Sequence, residues 1–388
     1  MAALEALMPQ ALPPAGDPVV LARDRAAPAT LDDYWPGYRA RYYDSGTAAL
    51  AAAVRAVTDV AAKPEPEVLL PAYGCPALVS AVLHAGARPV LVDIEPDQPR
   101  LSLRALSEAV SGDTVAVIAV HLFGLRERVE SIRAIVRPVG AVVIEDSAQG
   151  FDPGLWQSDL VVLSFGRGKP VSLLGGGAVL HRGGDFEWAL PRPQIPGGGG
   201  FRFRALAYNL LRNPSLYWLP HAIPGLGLGQ TRFERLRRIW AMDECRRALL
   251  PTAVARYRAQ EAPVQQQLRT MLGRLGPDFV DVAELCGEAP SRRLIRYPVL
   301  AASRELRDQA LQTLTRLGLG ASPMYGAALA DIAGVAPVCR ARPAPAADDF
   351  AQRLFTLPVH GGVRPRHVHR MQAALEACVA RGRGVLIG

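Results

Sequence analysis

Apolar positions along this chain follow two alternating rhythms. Nearly continuous apolar runs occur at residues 67–71 (EVLLP), 89–94 (PVLVDI), 114–120 (TVAVIAV), 141–146 (AVVIED) and 160–165 (LVVLSF). Runs of this length, rich in valine and isoleucine, predict strands buried on both faces rather than strands with one wet side. Between them lie ALVSAVLHAG, SLRALSEAV and VESIRAIVRPVG, whose apolar residues recur at three- and four-residue spacing and predict helices. An alanine-rich helical stretch, TAALAAAVRAVTDVAA, begins at Thr47, ahead of the first run. Strand and helix alternating in this way build an α/β domain, a three-layer, mainly parallel sheet with helices on both faces.

The rhythm breaks over residues 182–239, an apolar insert rich in proline and glycine that contains FRFRALAYNLLRNPSLYWLP. Its prolines limit any single helix to about three turns, from Phe201 to Asn213. From residue 240 onward one long helix is predicted through AMDECRRALLPTAVARYRAQEAPVQQQLRTML. A strand at RYPVLAA, a helix over 304–316 and a last helix around 366–382 follow. The expected organisation is an N-terminal arm (1–24), a large domain (25–245) carrying the insert, and a smaller α+β domain (246–388). The length of 388 residues suits about two domains.

Composition narrows the function. The net charge of +8 and the pI near 9.5 raise the question of nucleic acid. The arginines are spread along the whole chain, however, with no basic block and no zinc spacing, so no nucleic-acid partner is expected. The five cysteines are far apart and include no C-x-x-C, which argues against a disulfide framework and a metal site. The opening MAALEALMPQALPPAGD lacks a basic start and a long apolar core, and no apolar stretch reaches membrane-spanning length. A soluble, cytoplasmic protein is expected.

Of the 44 lysines and arginines only Lys63 and Lys169 are lysine. Arginine binds phosphate and carboxylate at least as well, but it cannot lose its proton near neutral pH or condense with an aldehyde. Lys169, in SFGRGKPVSLLGGG after a buried run, is therefore a candidate nucleophile, whereas Lys63 in AAKPEP reads as a loop residue. Other polar clusters fall at the ends of the same runs, where ligands of such sheets bind. Ser45, Gly46 and Thr47 precede a helix and suit a phosphate, although taken alone they read first as an ordinary helix cap. Asp146 ends a buried run, with Gln149 three residues on; it either caps the next helix or holds a cationic heterocycle. Ser164 lies five residues before Lys169, and Tyr73 and Cys75 follow the 67–71 run. His121, after the run at 114–120, reads as a packing or hydrogen-bonding residue rather than a base.

The order of SGTAAL, AGARPVLVDIEPD, VAVIAVHLFG, VIEDSAQ, SFGRGK and LFTLPVHGGV resembles the DegT/DnrJ/StrS aminotransferases, pyridoxal-phosphate enzymes of the aspartate aminotransferase fold. The resemblance covers most of the chain. It implies that Lys169 forms the internal Schiff base and Asp146 pairs with the pyridinium nitrogen. Gln149 would contact the phenolic oxygen, and Ser45, Gly46, Thr47 and Ser164 would hold the phosphate. Cys75 takes the position from which relatives often lay an aromatic ring over the cofactor; a thiol is smaller, and Tyr73 is the alternative. The implied activity is amino transfer from an amino acid, glutamate by family habit, to a ketone in a biosynthetic pathway, in a homodimer. Other pyridoxal-phosphate chemistry and cofactor binding without turnover remain open beside it.

Two departures concern the substrate half. The glycine stretch LLGGGAVL has no acidic residue, and RRIWAMDE lacks the Gly-x-Asn-x-Arg-like segment of sugar aminotransferases. The acceptor is thus either a sugar or a more apolar, carrier-bound ketone. The insert reads as a lid, a dimer contact, or a membrane contact through residues 201–220.

Overall fold

The computed structural model describes residues 12, 17–24, 34–35, 37–184, 186, 189–193, 200–211, 231–261 and 263–385. Strands β1 (Arg39–Tyr43), β2 (Glu67–Pro71), β3 (Arg88–Val92), β4 (Thr114–Val120), β5 (Val142–Asp146), β6 (Leu160–Ser164) and β7 (Gly177–His181) form one sheet in the order 1-7-6-5-4-2-3. Neighbours from β6 to β3 pair in parallel, and β7 runs antiparallel to both β1 and β6. The five continuous apolar runs are β2 to β6, within a residue or two at each end.

Each central strand feeds two cores, as burial on both faces requires. In β4, Ala116 and Ile118 face one cluster while Val117 and Ala119 face the other. The first cluster holds the helix Gly46–Ala61, whose run of buried alanines combines high helix propensity with small volume. Helices Leu103–Ala109 and Val129–Val136 cover the opposite face through Leu106, Ile132 and Val136. Behind β6 and β7 a third cluster gathers Trp35, Phe151 and Trp156 with Leu249, Leu250 and Val254 of the helix Glu244–Ala259. The expected domain junction at 245/246 lies within this helix.

The single long helix expected after residue 240 is two helices, Glu244–Ala259 and Pro263–Leu275. Gln260 turns to extended backbone (φ −76°, ψ 136°), and Pro263, which lacks an N–H, opens the second helix, where that loss costs least. Beyond it β8 (Phe279–Asp281), β9 (Arg296–Ala301) and β10 (Leu354–Pro358) form an antiparallel sheet in the order 10-9-8. The helix Arg304–Arg316 packs on that sheet, and Pro365–Val385 packs against the helices Arg304–Arg316 and Pro263–Leu275. Its core is continuous with that under the large sheet. Asp93, just past β3, accepts from the N–H groups of Ala346 and Ala347 and so caps the helix Pro345–Arg353 across the two sheets.

Candidate active site

The sequence candidates converge at the carboxyl ends of β5 and β6 and the start of the helix Gly46–Ala61. Ser45 is that helix's N-cap: its backbone is extended and its Oγ accepts from Ala48 N–H at 3.1 Å. Gly46 and Thr47 are the first two helical residues, so their N–H groups have no intrahelical acceptor. Ser164 ends β6 against them. A Cβ on Gly46 would come within 2.6 Å of both the Cβ and Oγ of Ser164, so only glycine permits this approach. An isolated bridge from Ser45 to Gly176 and the Ser164–Gly177 pair lock the helix start to the root of β7.

Lys169 sits on the loop between β6 and β7. The loop closes at its base, where Phe165 N–H donates to Gly176 O and the Phe165 carbonyl accepts from Leu173 and Gly175. Gly168, Gly175 and Gly176 all take left-handed φ, and so does Leu174 at 56°, a strained value for leucine. The glycines that sequence reading noted for a missing acid are therefore also conformational requirements. Lys63, by contrast, donates to the carbonyls of Gly112 and Thr114 and closes a surface loop.

Asp146 ends β5, 9% exposed, and its Oδ1 accepts from Ala148 N–H at 2.9 Å. Burial pushes its carboxyl above the ordinary range; the Ala148 bond, then the charges of Lys169 and His121, pull the other way. Burial likewise raises the Cys75 thiol, with Lys169 opposing and Asp146 adding to the rise. Cys75, Asp146 and Lys169 thus share one electrostatic neighbourhood. Gln149 is fixed at both ends of its amide: Oε1 accepts from Phe123 N–H (2.9 Å) and Nε2 donates to Tyr325 Oη (2.8 Å). Phe123 holds a left-handed φ of 61° to make this contact, and its carbonyl accepts from Ile295.

His121 is fully buried, with Nε2 2.8 Å from Glu145 Oε2 and Nδ1 accepting from Glu127 N–H. Both ring nitrogens are occupied, and the ring has a structural place beneath the site. Tyr73 also lies inside the core, its ring edge-on to Tyr325 and Phe350, so it does not replace the missing aromatic at position 75.

Three residues escaped the sequence reading. Tyr325 reaches the site from the loop ahead of the 329–331 turn, and burial holds its phenol well above the usual range, with Cys75, Tyr73 and Asp146 adding to the rise. Arg293 and Arg296 line a cavity of about 220 Å³ that also has Lys169, Tyr257 and His360 in its walls. Arg296 is committed to structure: its guanidinium donates to Thr356 Oγ1, Thr356 O and Gly320 O, and burial pushes its pKa down to about 10. Arg293 stacks 3.9 Å from the centre of the Tyr257 ring and donates to the Tyr257 carbonyl. Among the described residues it has no salt-bridge carboxylate, whereas its neighbour Arg292 has Asp152 and Glu288. No short motif marks these residues, because all three lie more than a hundred positions beyond Lys169, Tyr325 and Arg293 on connecting segments and Arg296 at the start of β9.

The fold itself has solved counterparts. Helicobacter pylori PseC, an aminotransferase of pseudoaminic acid biosynthesis, superposes with a TM-score of 0.69 at 17% identity, over 90% of this chain and 88% of that one. The architecture is thus the aminotransferase α/β fold. Residues 33–188 match the model of the DegT/DnrJ/EryC1/StrS aminotransferase family. A UDP-N-acetyl-3-dehydro-alpha-D-glucosamine 3-aminotransferase of Acidithiobacillus ferrooxidans is 38% identical over 27% of this chain, which spans only 28% of that relative's length. A dTDP-4-dehydro-2,3,6-trideoxy-D-glucose 4-aminotransferase of Saccharopolyspora spinosa is 27% identical over 82% of this chain and 79% of its own.

Proposed function

We propose that this protein is a pyridoxal 5'-phosphate-dependent aminotransferase. It would pass an amino group from an amino-acid donor to a ketone of the sugar class, as the names of its relatives suggest, and work as a cytoplasmic homodimer. The observation that carries the reading is Asp146. Its carboxylate is buried, raised in pKa by that burial, and without an ion-pair partner among the described residues. A buried anion calls for a cation, and the cofactor's protonated ring nitrogen is one. The approach of Gly46 to Ser164 at an open helix N-terminus suits its phosphate equally well.

When bound, the cofactor supplies an electron sink for bond breaking at the donor's α-carbon. Asp146 keeps the ring nitrogen protonated. Gly46, Thr47 and the Ser164 hydroxyl would hold the phosphate, with Ser45 shaping the turn, while Gln149 would contact the phenolic oxygen and Cys75 would face the cofactor. Lys169 would anchor the cofactor through Nζ, and once freed the same amine would carry the substrate's α-proton. Arg293 supplies the positive charge for a donor carboxylate.

Two experiments test this. Borohydride treatment of the holoenzyme should fix the cofactor on Lys169, and Lys169→Ala should lose both fixation and turnover with an unchanged circular dichroism spectrum. Label on Lys63, or no cofactor bound by the wild type, would end the proposal. Arg293→Gln should raise the donor KM about tenfold or more with kcat less affected, since a charge-assisted hydrogen bond is lost. An unaltered donor KM removes Arg293 from the site.

A further inference from the structure

The insert contains one described helix, Phe201–Leu211, and unlike an ordinary surface helix it carries large apolar side chains on its exposed face as well as its buried one. Phe201 and Ala205 are buried in the aromatic cluster behind β7, and Tyr208 packs against it. Asn209 accepts from Val19 N–H at 2.8 Å and donates to Val19 O at 3.0 Å, and the Arg246 guanidinium lies 4.6 Å from the Phe201 ring centre. That face is anchored. The opposite face presents Phe203, Leu206 and Leu210, which are 76%, 56% and 63% exposed. These are half of the large apolar side chains exposed among the described residues; Val60, Leu285 and Leu317 are scattered singly elsewhere. Positions 203, 206 and 210 fall on one stripe at the helical repeat, with exposed Arg202 and Arg204 about a quarter-turn to either side. The helix has no acidic residue.

We infer that this stripe docks the protein on an anionic lipid surface. An apolar ridge with a cation on each flank matches the boundary between acyl chains and negatively charged headgroups. Stripe-to-stripe pairing of two copies about a two-fold axis is disfavoured, because it would bring two arginine rows together with no carboxylate on either helix. The attachment is peripheral. Eleven residues span about 16 Å, short of a bilayer core, and no described helix is long and apolar enough to cross one.

The test is flotation of the full-length protein with vesicles of phosphatidylcholine alone or of phosphatidylcholine and phosphatidylglycerol in equal parts. The protein should float with the anionic vesicles and much less with the neutral ones. Combining Phe203→Ser, Leu206→Ser and Leu210→Ser should cut binding more than tenfold, without lowering the melting temperature, because all three side chains are exposed. Arg202→Gln and Arg204→Gln should each weaken anionic binding about fivefold, an effect mimicked by salt. Three outcomes would overturn the inference: wild-type protein that ignores anionic vesicles, a triple variant that binds them normally but forms a smaller oligomer, or a triple variant that melts earlier. The second outcome assigns the stripe to another copy of the chain, and the third to packing within the same chain.

Discussion

At the scale of single residues, the site carries a charge that the ligand-free fold would do better without. Because burial raises the Asp146 pKa, the contribution of this group to stability is complete below the ordinary aspartate range and is lost as pH rises through the folded-state value. Asp146→Asn should therefore stabilise the cofactor-free protein at neutral pH, with the gain shrinking toward zero as the pH falls through the ordinary aspartate range. The same variant should lose most of its turnover. Denaturant titrations of both proteins at neutral and acid pH check the first statement, and a neutral-pH gain that persists in acid would refute it. Gly46→Ala is the complementary case. Its methyl group meets Ser164, so cofactor affinity should fall about tenfold or more. Lys169 was legible because arginine fills nearly every other basic position, and Asp146 because it punctuates an apolar run. Arg293 and Tyr325 were not, since their relevance comes from a fold that returns distant loops to the β5 end.

At the scale of elements, strands β2 to β6 could be read from the sequence because burial on both faces leaves an unbroken apolar signature. β1 and β7 could not. β1 (RARYY) is an edge strand with charged residues in it, and β7 hides behind three glycines that look like loop. Yet β7 is the element on which the site hangs. A Cβ on Gly177 would run into the Ser45 carbonyl and crowd Gly46 N, both backbone atoms that cannot rotate away. Gly177→Ala should cost at least about 1–3 kcal/mol by thermal denaturation and should weaken cofactor binding in parallel. Loss of stability with cofactor affinity intact would show that the two are separable. The break between the helices Glu244–Ala259 and Pro263–Leu275 was foreshadowed by Pro263; unbroken amphipathic spacing on both sides concealed it.

At the scale of the whole molecule, the proposed dimer predicts a light-scattering mass of twice the 41.6 kDa chain at micromolar concentration, with activity falling on dilution as the subunits part. A monomer with full activity would exclude a shared site. If both proposals hold, the exposed stripe of the helix Phe201–Leu211 and the cavity beside Lys169 would serve as two distinct surfaces, one for lipid and one for substrate. The pairing of β1 with β7 has a consequence in time as well. Tyr43 pairs with Gly177, and Ser45 with Gly176, across at least 130 residues of intervening chain. A polypeptide emerging from the ribosome can form the β2–β3–β4 part of the sheet early, but it cannot seat the first turn of the helix Gly46–Ala61 against the lysine loop until residue 181 has cleared the exit tunnel. Cofactor capture is then a late event in biosynthesis, and newly made chains halted before β7 should remain colourless however much of their core has already condensed.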